Sequence, residues 1–332
     1  MKTLILSNKE IKKLITVKES LPLVKNAFIK KINKKTQMPP KSYLVFDKYR
    51  GDIRTMPSYI EGEKIAVVKI VNSHDNNSKK NLPTVIGTII LIDVKTGFPL
   101  SIMDGNIITS LRTAAASAIA TKYLAKKNAK TLGLIGAGIQ ANSHIEALTE
   151  NMKIEKISVY DIDQNKARKL IKKIKEKSEI EIEFDSLEET VKNNDILVTT
   201  TPVRKPIVKD RWIEDGTHIN AVGADGPGKQ ELESRTLKRS KIIIDDYEQA
   251  IHGGEINVPL KRNIIKISDI YGEIGEIITK KKLGRTNSNE ITLFDSTGLA
   301  IQDAALAAEI YKKAEVQNVG KFIKLFSVET TY

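Results

Sequence analysis

The stretch TLGLIGAGIQANSHIEAL, residues 131–148, decides the fold. It begins as a short apolar run, turns on two glycines, and continues with apolar residues at helical spacing. Gly136, Gly138 and Ala141 form the pattern G-x-G-x-x-A between that strand and that helix. The context gives the pattern a physical reading. The first glycine permits a tight turn, and the second lets the backbone approach a pyrophosphate. The small third residue lets the helix pack close to the strand, and free N–H groups at the helix start face the phosphates. The next apolar run, ISVYD, ends at Asp161, about 20 residues past the glycines, as a dinucleotide site requires. A carboxylate there accepts bonds from both adenosine ribose hydroxyls and repels a 2′-phosphate, which favours NAD over NADP. The plainer alternative is that Asp161 caps the following helix.

Working outward, short apolar strands alternate with helical segments from residue 128 on. Strands are expected at 131–135, 156–160, 180–184, 196–200, 218–222, 242–245 and 291–294. Such alternation argues for a doubly wound parallel sheet of Rossmann type, placed at 125–305 within an α/β fold. Upstream the rhythm differs. A helix is expected at 17–31, strands at 42–46, 53–56, 65–71, 85–93 and 100–104, and an alanine-rich helix at 109–124. Turn signals at 47–51 and 95–97 make antiparallel hairpins the natural reading, so residues 1–124 read as a separate α+β domain.

Composition narrows the function. The chain has 332 residues, 40% hydrophobic and 29% charged, a globular balance. It has no cysteine, which removes disulfides, zinc-thiolate sites and thiol nucleophiles. The net charge is +13. That invites a nucleic-acid or membrane reading, but 44 of the 54 basic residues are lysine, they are scattered, and aromatics are only 5%. Nucleic-acid sites favour arginine and stacking aromatics, so neither nucleic acid nor membrane is expected as a partner. The start, MKTLILSNKEIKKLI, lacks a full apolar signal region and a cleavage site, so the cytoplasm is the expected compartment. The four histidines do not cluster and no metal-ligand spacing occurs, so no metal is expected.

Four segments carry polar residues that packing does not explain. They are PPKSYLVFDKYRGDIRTMP with Lys41 and Arg54, VVKIV with Lys69, ITSLRTAAA with Arg112, and HINAVGADGPGKQEL with Asp225 and Lys229. A lysine inside an apolar strand is costly without a partner or a task, unless its stem snorkels to a sheet edge. Asp225 could equally be a helix cap or an Asx-turn. Together the set has a chemical logic: cationic side chains hold the carboxylate of a small acid, a lysine polarises a carbonyl and passes a proton, and an aspartate activates water or ammonia. With a nicotinamide as hydride carrier, this suits oxidation of an amino acid or reduction of an imino acid.

At these residues the sequence resembles the ornithine cyclodeaminase/mu-crystallin family. The carriers are MPPK (38–41), VVKIVNSHDNN (67–77), LPTVIG (82–87), SLRTAAASA (110–118), GAGIQA (136–141), INAVGADGPGKQEL (219–232) and DSTGLAIQD (295–303). The resemblance implies a Rossmann domain joined to a substrate-binding and dimerisation domain to which residues 306–332 return, and a homodimer. It implies that Thr84, Arg112, Gly138, Ile139, Asp161, Val222, Gly223, Ala224, Lys229 and Ser296 contact NAD, beside Gly136. This moves Arg112 from substrate clamp towards cofactor phosphate. It further implies that Lys69 is the active-site lysine, Asp225 the catalytic acid/base, and Lys41 and Arg54 pocket residues. The family holds cyclodeaminases, archaeal-type alanine dehydrogenases and ketimine reductases. Cyclodeaminases tend to carry a glutamate two residues before the Met-Pro pair; here that position is Arg54. An arginine grips a carboxylate and repels a diamine. With GADGPGKQELE, this makes an NAD-dependent alanine dehydrogenase, interconverting L-alanine and pyruvate plus ammonia, the expected activity. Ornithine cyclodeaminase and cyclic ketimine reductase are the alternatives.

Overall fold

A computed structural model describes residues 1–326. The chain divides into two compact units, one of residues 1–112 with the chain from 300 onward, the other of 113–299. The expected boundaries lay at 124/125 and 305/306. The observed ones fall inside the helix Asn106–Leu124 and at the start of the helix Ala300–Gln317.

The first unit is built on strands β1 (Thr3–Leu6), β2 (Thr36–Gln37), β3 (Ser42–Phe46), β4 (Gly51–Ile60), β5 (Ile65–His74), β6 (Val85–Asp93) and β7 (Pro99–Asp104). Strands β4 to β7 form the expected antiparallel meander. A hairpin turn at Arg50, in the left-handed region at φ 48°, adds β3 to β4. Period-two alternation sorts the side chains. One row across the sheet runs Met56, Lys69, Ile89, Met103 and is buried; the adjacent row, Pro57, Val68, Ile90, Ile102, faces the other way and is half-buried. The helix Ala300–Gln317 packs on β4, β5 and β6 and against the helix Val17–Ile32.

The second unit holds β8 (Thr131–Ile135), β9 (Lys156–Tyr160), β10 (Glu181–Phe184), β11 (Ile196–Thr199), β12 (His218–Ala221), β13 (Ser240–Ile244), β14 (Ile270–Glu273) and β15 (Ile291–Asp295). All eight pair in parallel, in the order β10-β9-β8-β11-β12-β15-β13-β14. The first five places follow the Rossmann order, confirming the expected fold class. Strands β11, β12 and β15 are buried at every position, as a parallel sheet covered on both faces requires. The last described strand, β16 (Lys321–Ile323), pairs antiparallel with β1 in the first unit.

Four strands escaped sequence reading: β1, β2, β14 and β16. Each is short and lies at or near a sheet edge, and β1 takes its partners from residues 99–104 and 321–323, a pairing without a local signal. The segment 73–82, expected as a loop, ends β5 and contains the 3-10 helix Asp75–Lys80. No helix among the described residues is long and apolar enough to cross a membrane.

Candidate active site

The glycine loop follows β8 directly. Gly136 has φ +100°, and a Cβ there would stand 2.8 Å from Thr200 Oγ1, so the turn tolerates only glycine. Gly138 is the N-cap of the helix Ile139–Asn151, which has no side-chain cap, and a Cβ on Gly138 would meet nothing within 4 Å. The loop therefore leaves open space beside uncapped first-turn N–H groups. Ala141 is fully buried where the helix meets the sheet, while Ile139 is exposed. Asp161 does not cap a helix; Asp163 does, through Asn165 N. Instead Asp161 Oδ2 accepts the Ala137 N–H at 2.7 Å and Oδ1 the Asp163 N–H at 2.8 Å. An ionised carboxylate has about four acceptor positions, so ribose hydroxyls fit beside these two bonds.

The loop after β12 carries Val222, Gly223, Ala224, Asp225 and Lys229. Gly223 packs against Thr201, where a side chain would collide with backbone. Its N–H donates to Glu231 Oε2 at 2.7 Å. Glu231 also accepts from Thr199 Oγ1, Thr201 N and Thr201 Oγ1, which fastens this loop to the one after β11. Asp225 caps no helix; its carboxylate takes Lys229 Nζ at 2.5 Å. Ser296, just beyond β15, is 2% exposed, and its Oγ has no hydrogen-bond partner. An orphaned buried hydroxyl, an open glycine turn and a carboxylate at the end of β9 together fit a dinucleotide.

In the first unit, Lys69 does not snorkel. It sits on β5, an inner strand, and is 1% exposed. Its Nζ donates to Thr109 Oγ1 at 2.6 Å and to Asp303 Oδ1 at 2.8 Å. Arg112, also buried, brings Nε to 3.4 Å from the same Asp303 oxygen and Nη1 to 3.3 Å from Gln302 Oε1. Burial lowers Lys69 to about 8; Asp303 opposes this, while Arg112 and Lys41 add to it. Arg54 lies on the same face of the sheet as Lys69, by the pairing of Met56 with Lys69. Its Nε and Nη2 grip Asp52 at 3.1 and 2.9 Å, and its guanidinium stacks over Tyr43. Thr84 is exposed ahead of β6, its carbonyl accepting His74 N. Five sequence candidates, Lys41, Arg54, Lys69, Thr84 and Arg112, thus share the first unit. The glycine loop, Asp161, Asp225, Lys229 and Ser296 belong to the second.

Sequence reading missed Asp303, Asp52 and Glu231. Asp303 had a signal: an acid within the apolar helical run AIQDAALAA mirrors the lysine within VVKIV, and two such anomalies ask for each other. The histidines offer no competing chemistry. Burial holds His144 near 4 and His218 near 3, so both stay neutral, bonded to Ser117 with Gln140 and to Thr292. His74 ends β5 and His252 lies in the helix Tyr247–Gly253. Among the described residues no three His, Asp or Glu side chains gather to hold a metal.

The sequence matches the family described as the ornithine cyclodeaminase/mu-crystallin family over residues 1–318. An alanine dehydrogenase of Archaeoglobus fulgidus is 48% identical over 99% of this chain and 100% of its own. An archaeal alanine dehydrogenase dimer, solved with bound NAD, matches with TM-score 0.94 at 48% identity over 98% of this chain and 100% of that one. A Delta(1)-pyrroline-2-carboxylate reductase of Thermococcus litoralis, solved with NADH and L-proline, matches with TM-score 0.94 at 42% identity over 96% and 99%. With fold, glycine loop and buried lysine all in place along the matched length, this chain belongs to the ornithine cyclodeaminase/mu-crystallin family.

Proposed function

We propose that this protein is an alanine dehydrogenase: an NAD-dependent oxidoreductase, homodimeric and cytoplasmic, that interconverts L-alanine with pyruvate and ammonia. The observation that carries the reading is the buried charge around Lys69. Two buried cations, Lys69 and Arg112, share the one carboxylate of Asp303, and the positive charge of Lys41 also bears on Lys69. Such an imbalance suits an anionic substrate and disfavours a diamine. The first unit is then the substrate-binding and dimerisation domain. The full-length likeness to the Archaeoglobus fulgidus alanine dehydrogenase supports the choice of substrate, as does arginine at position 54.

In the second unit Gly136, Gly138 and Ile139 would hold the pyrophosphate and Asp161 the adenosine ribose of NAD, with Val222, Gly223, Ala224, Lys229 and Ser296, and from the first unit Thr84 and Arg112, as further contacts. Bound there, the nicotinamide supplies or accepts the hydride. Lys41 and Arg54 hold the pyruvate carboxylate; Asp52 already takes one edge of Arg54, which orients the guanidinium. Lys69, close to neutrality in its proton affinity, donates a proton to the keto oxygen as ammonia adds, and Asp225 moves protons to and from nitrogen and departing water. In sum, pyruvate, ammonium, NADH and a proton give L-alanine, NAD and water.

The test is oxidation of NADH by purified enzyme with pyruvate and ammonium. Turnover is expected, with kcat/KM declining above about pH 8 as Lys69 loses its proton; no turnover would overturn the reading. A second reading, reduction of a cyclic imino acid, is favoured by the equal TM-score of the Thermococcus litoralis reductase. Pyrroline-2-carboxylate in the same assay separates the two by kcat/KM. Ammonia release from ornithine without accumulation of NADH would instead indicate a cyclodeaminase.

A further inference from the structure

We infer that Asp303 is the positioning residue that keeps a proton on Lys69, so that the buried amine enters each aminating cycle as an acid. The inference rests on the reading of Lys69 as the proton donor. Its support is geometric. Asp303 is fully buried, and Oδ1 meets both Lys69 Nζ, at 2.8 Å, and Arg112 Nε, at 3.4 Å. Its Oδ2 has no hydrogen-bond partner. An aspartate that merely ties helices and loops together looks different. Asp245, equally a product of the fold, has Oδ1 on Thr297 Oγ1 and Oδ2 on the Thr297 and Gly298 N–H groups. Asp303 uses one oxygen only, and only on cations.

Among the described residues, Asp303 is the anion that meets Lys69. Lys69 comes from β5, Arg112 from the helix Asn106–Leu124, and Lys41 from the segment ahead of β3, all positive. Strand β4 turns Arg54 to this side already paired with Asp52. Strand β6 contributes Ile89 and Leu91, and the buried positions of the helix Val17–Ile32 are Ser20, Val24, Ala27 and Phe28, none charged. In such a site a lysine facing two cations would shed its proton. The carboxylate on the helix Ala300–Gln317 opposes that. Thr109 Oγ1, whose own proton goes to Gly105 O, accepts from Lys69 but carries no charge.

The test compares pH profiles of aminating kcat/KM for wild type, Asp303→Asn and Asp303→Glu under one ammonium regime, so that ammonium ionisation cancels. The alkaline limb is expected to move down by about 1 pH unit or more in Asp303→Asn, as loss of an opposite charge in contact implies, and to stay near the wild-type position in Asp303→Glu. An unmoved limb in a folded Asp303→Asn protein would overturn the inference. Should that variant not fold, Asp303→Ser makes the same prediction. Lys69→Met separates this inference from the reading beneath it. If Lys69→Met retains turnover, the proton-donor role fails; if it is inactive while the limb of Asp303→Asn does not move, only the role of Asp303 fails.

A readout independent of turnover is unfolding by urea across pH. Lys69 binds its proton more weakly folded than unfolded, so its contribution makes stability rise with pH between about 8 and 10.5. In Asp303→Asn that rise begins at lower pH. A rise that begins at the wild-type pH counts against the inference.

Discussion

At the scale of single residues, Asp161 has one task in the structure and a second that we propose. It stands where a ribose hydroxyl pair would bind, and it holds Ala137 N of the glycine turn at 2.7 Å. Replacing it with serine therefore removes both discrimination against a 2′-phosphate and part of the loop's scaffold. In Asp161→Ser the KM for NADH is expected to rise about tenfold or more, the equivalent of one charge-assisted bond, while NADPH becomes a comparable substrate. Steady-state kinetics with both cofactors measure this, and an unchanged NADH preference would remove Asp161 from the cofactor site. Lys69 differs in kind: its neighbours decide its charge, and no neighbour within five residues of it in sequence is among them.

At the scale of elements, the carboxyl ends of β11, β12 and β15 rest on three buried acids. Glu231 bridges the loops after β11 and β12, Glu255 accepts the Glu231 and Leu232 N–H groups, and Asp295 accepts Ile256 N. Burial raises all three, Glu255 well above its usual range and Asp295 to about 8; the charge of Glu231 further raises Glu255 and Asp295, and that of Asp295 raises Glu255. A folded-state value above the unfolded one means stability present at low pH and lost as pH rises through the folded value. For Asp295 that window runs from about 4 to about 8. Urea unfolding should therefore show this contribution declining from pH 4 to pH 8, and Asp295→Asn should flatten the decline; the same slope in the variant would exclude Asp295 as its source. Such elements also show what sequence can disclose. The glycine turn and the strand–helix rhythm were legible because each is a local pattern, and seven of the eight parallel strands follow from it. Strand β14 was not, since after Ile270 it reads YGE. Lys69 was legible as an anomaly; Asp303 left a matching anomaly in AIQDAALAA, but only tertiary packing shows that the two meet. Asp52 escaped for another reason: an acid in a turn-rich segment looks like solvent-facing surface until Arg54 is seen to fold back on it.

At the scale of the whole molecule, the charge of +13 divides by environment. Much of the lysine is exposed and lies in surface pairs such as Lys130–Glu155 and Lys192–Glu188, each worth little. The part to which we assign a function is the small set buried with Asp303. The helix that carries Asp303 also covers β4 to β6, so a chain ending at Leu299 would leave an apolar sheet face bare and a buried lysine without its counterion. Such a truncation is expected to be insoluble or to lack cooperative unfolding, checked by expression and circular dichroism; a soluble product with a native-like melt would show the first unit complete without its final helix.

The bond from Lys69 to Asp303 spans 234 residues of sequence. During synthesis the strand bearing Lys69 leaves the ribosome long before its counterion exists, and the whole of the second unit must be translated in between. Closing so distant a contact is slow and entropically costly. The nascent sheet must therefore wait with its central lysine solvated, and the first unit acquires its buried charge only when the last helix docks. The proposed substrate site is thus among the last parts of the protein to form, so a nascent or prematurely ended chain lacks the Lys69–Asp303 pair on which that proposal rests.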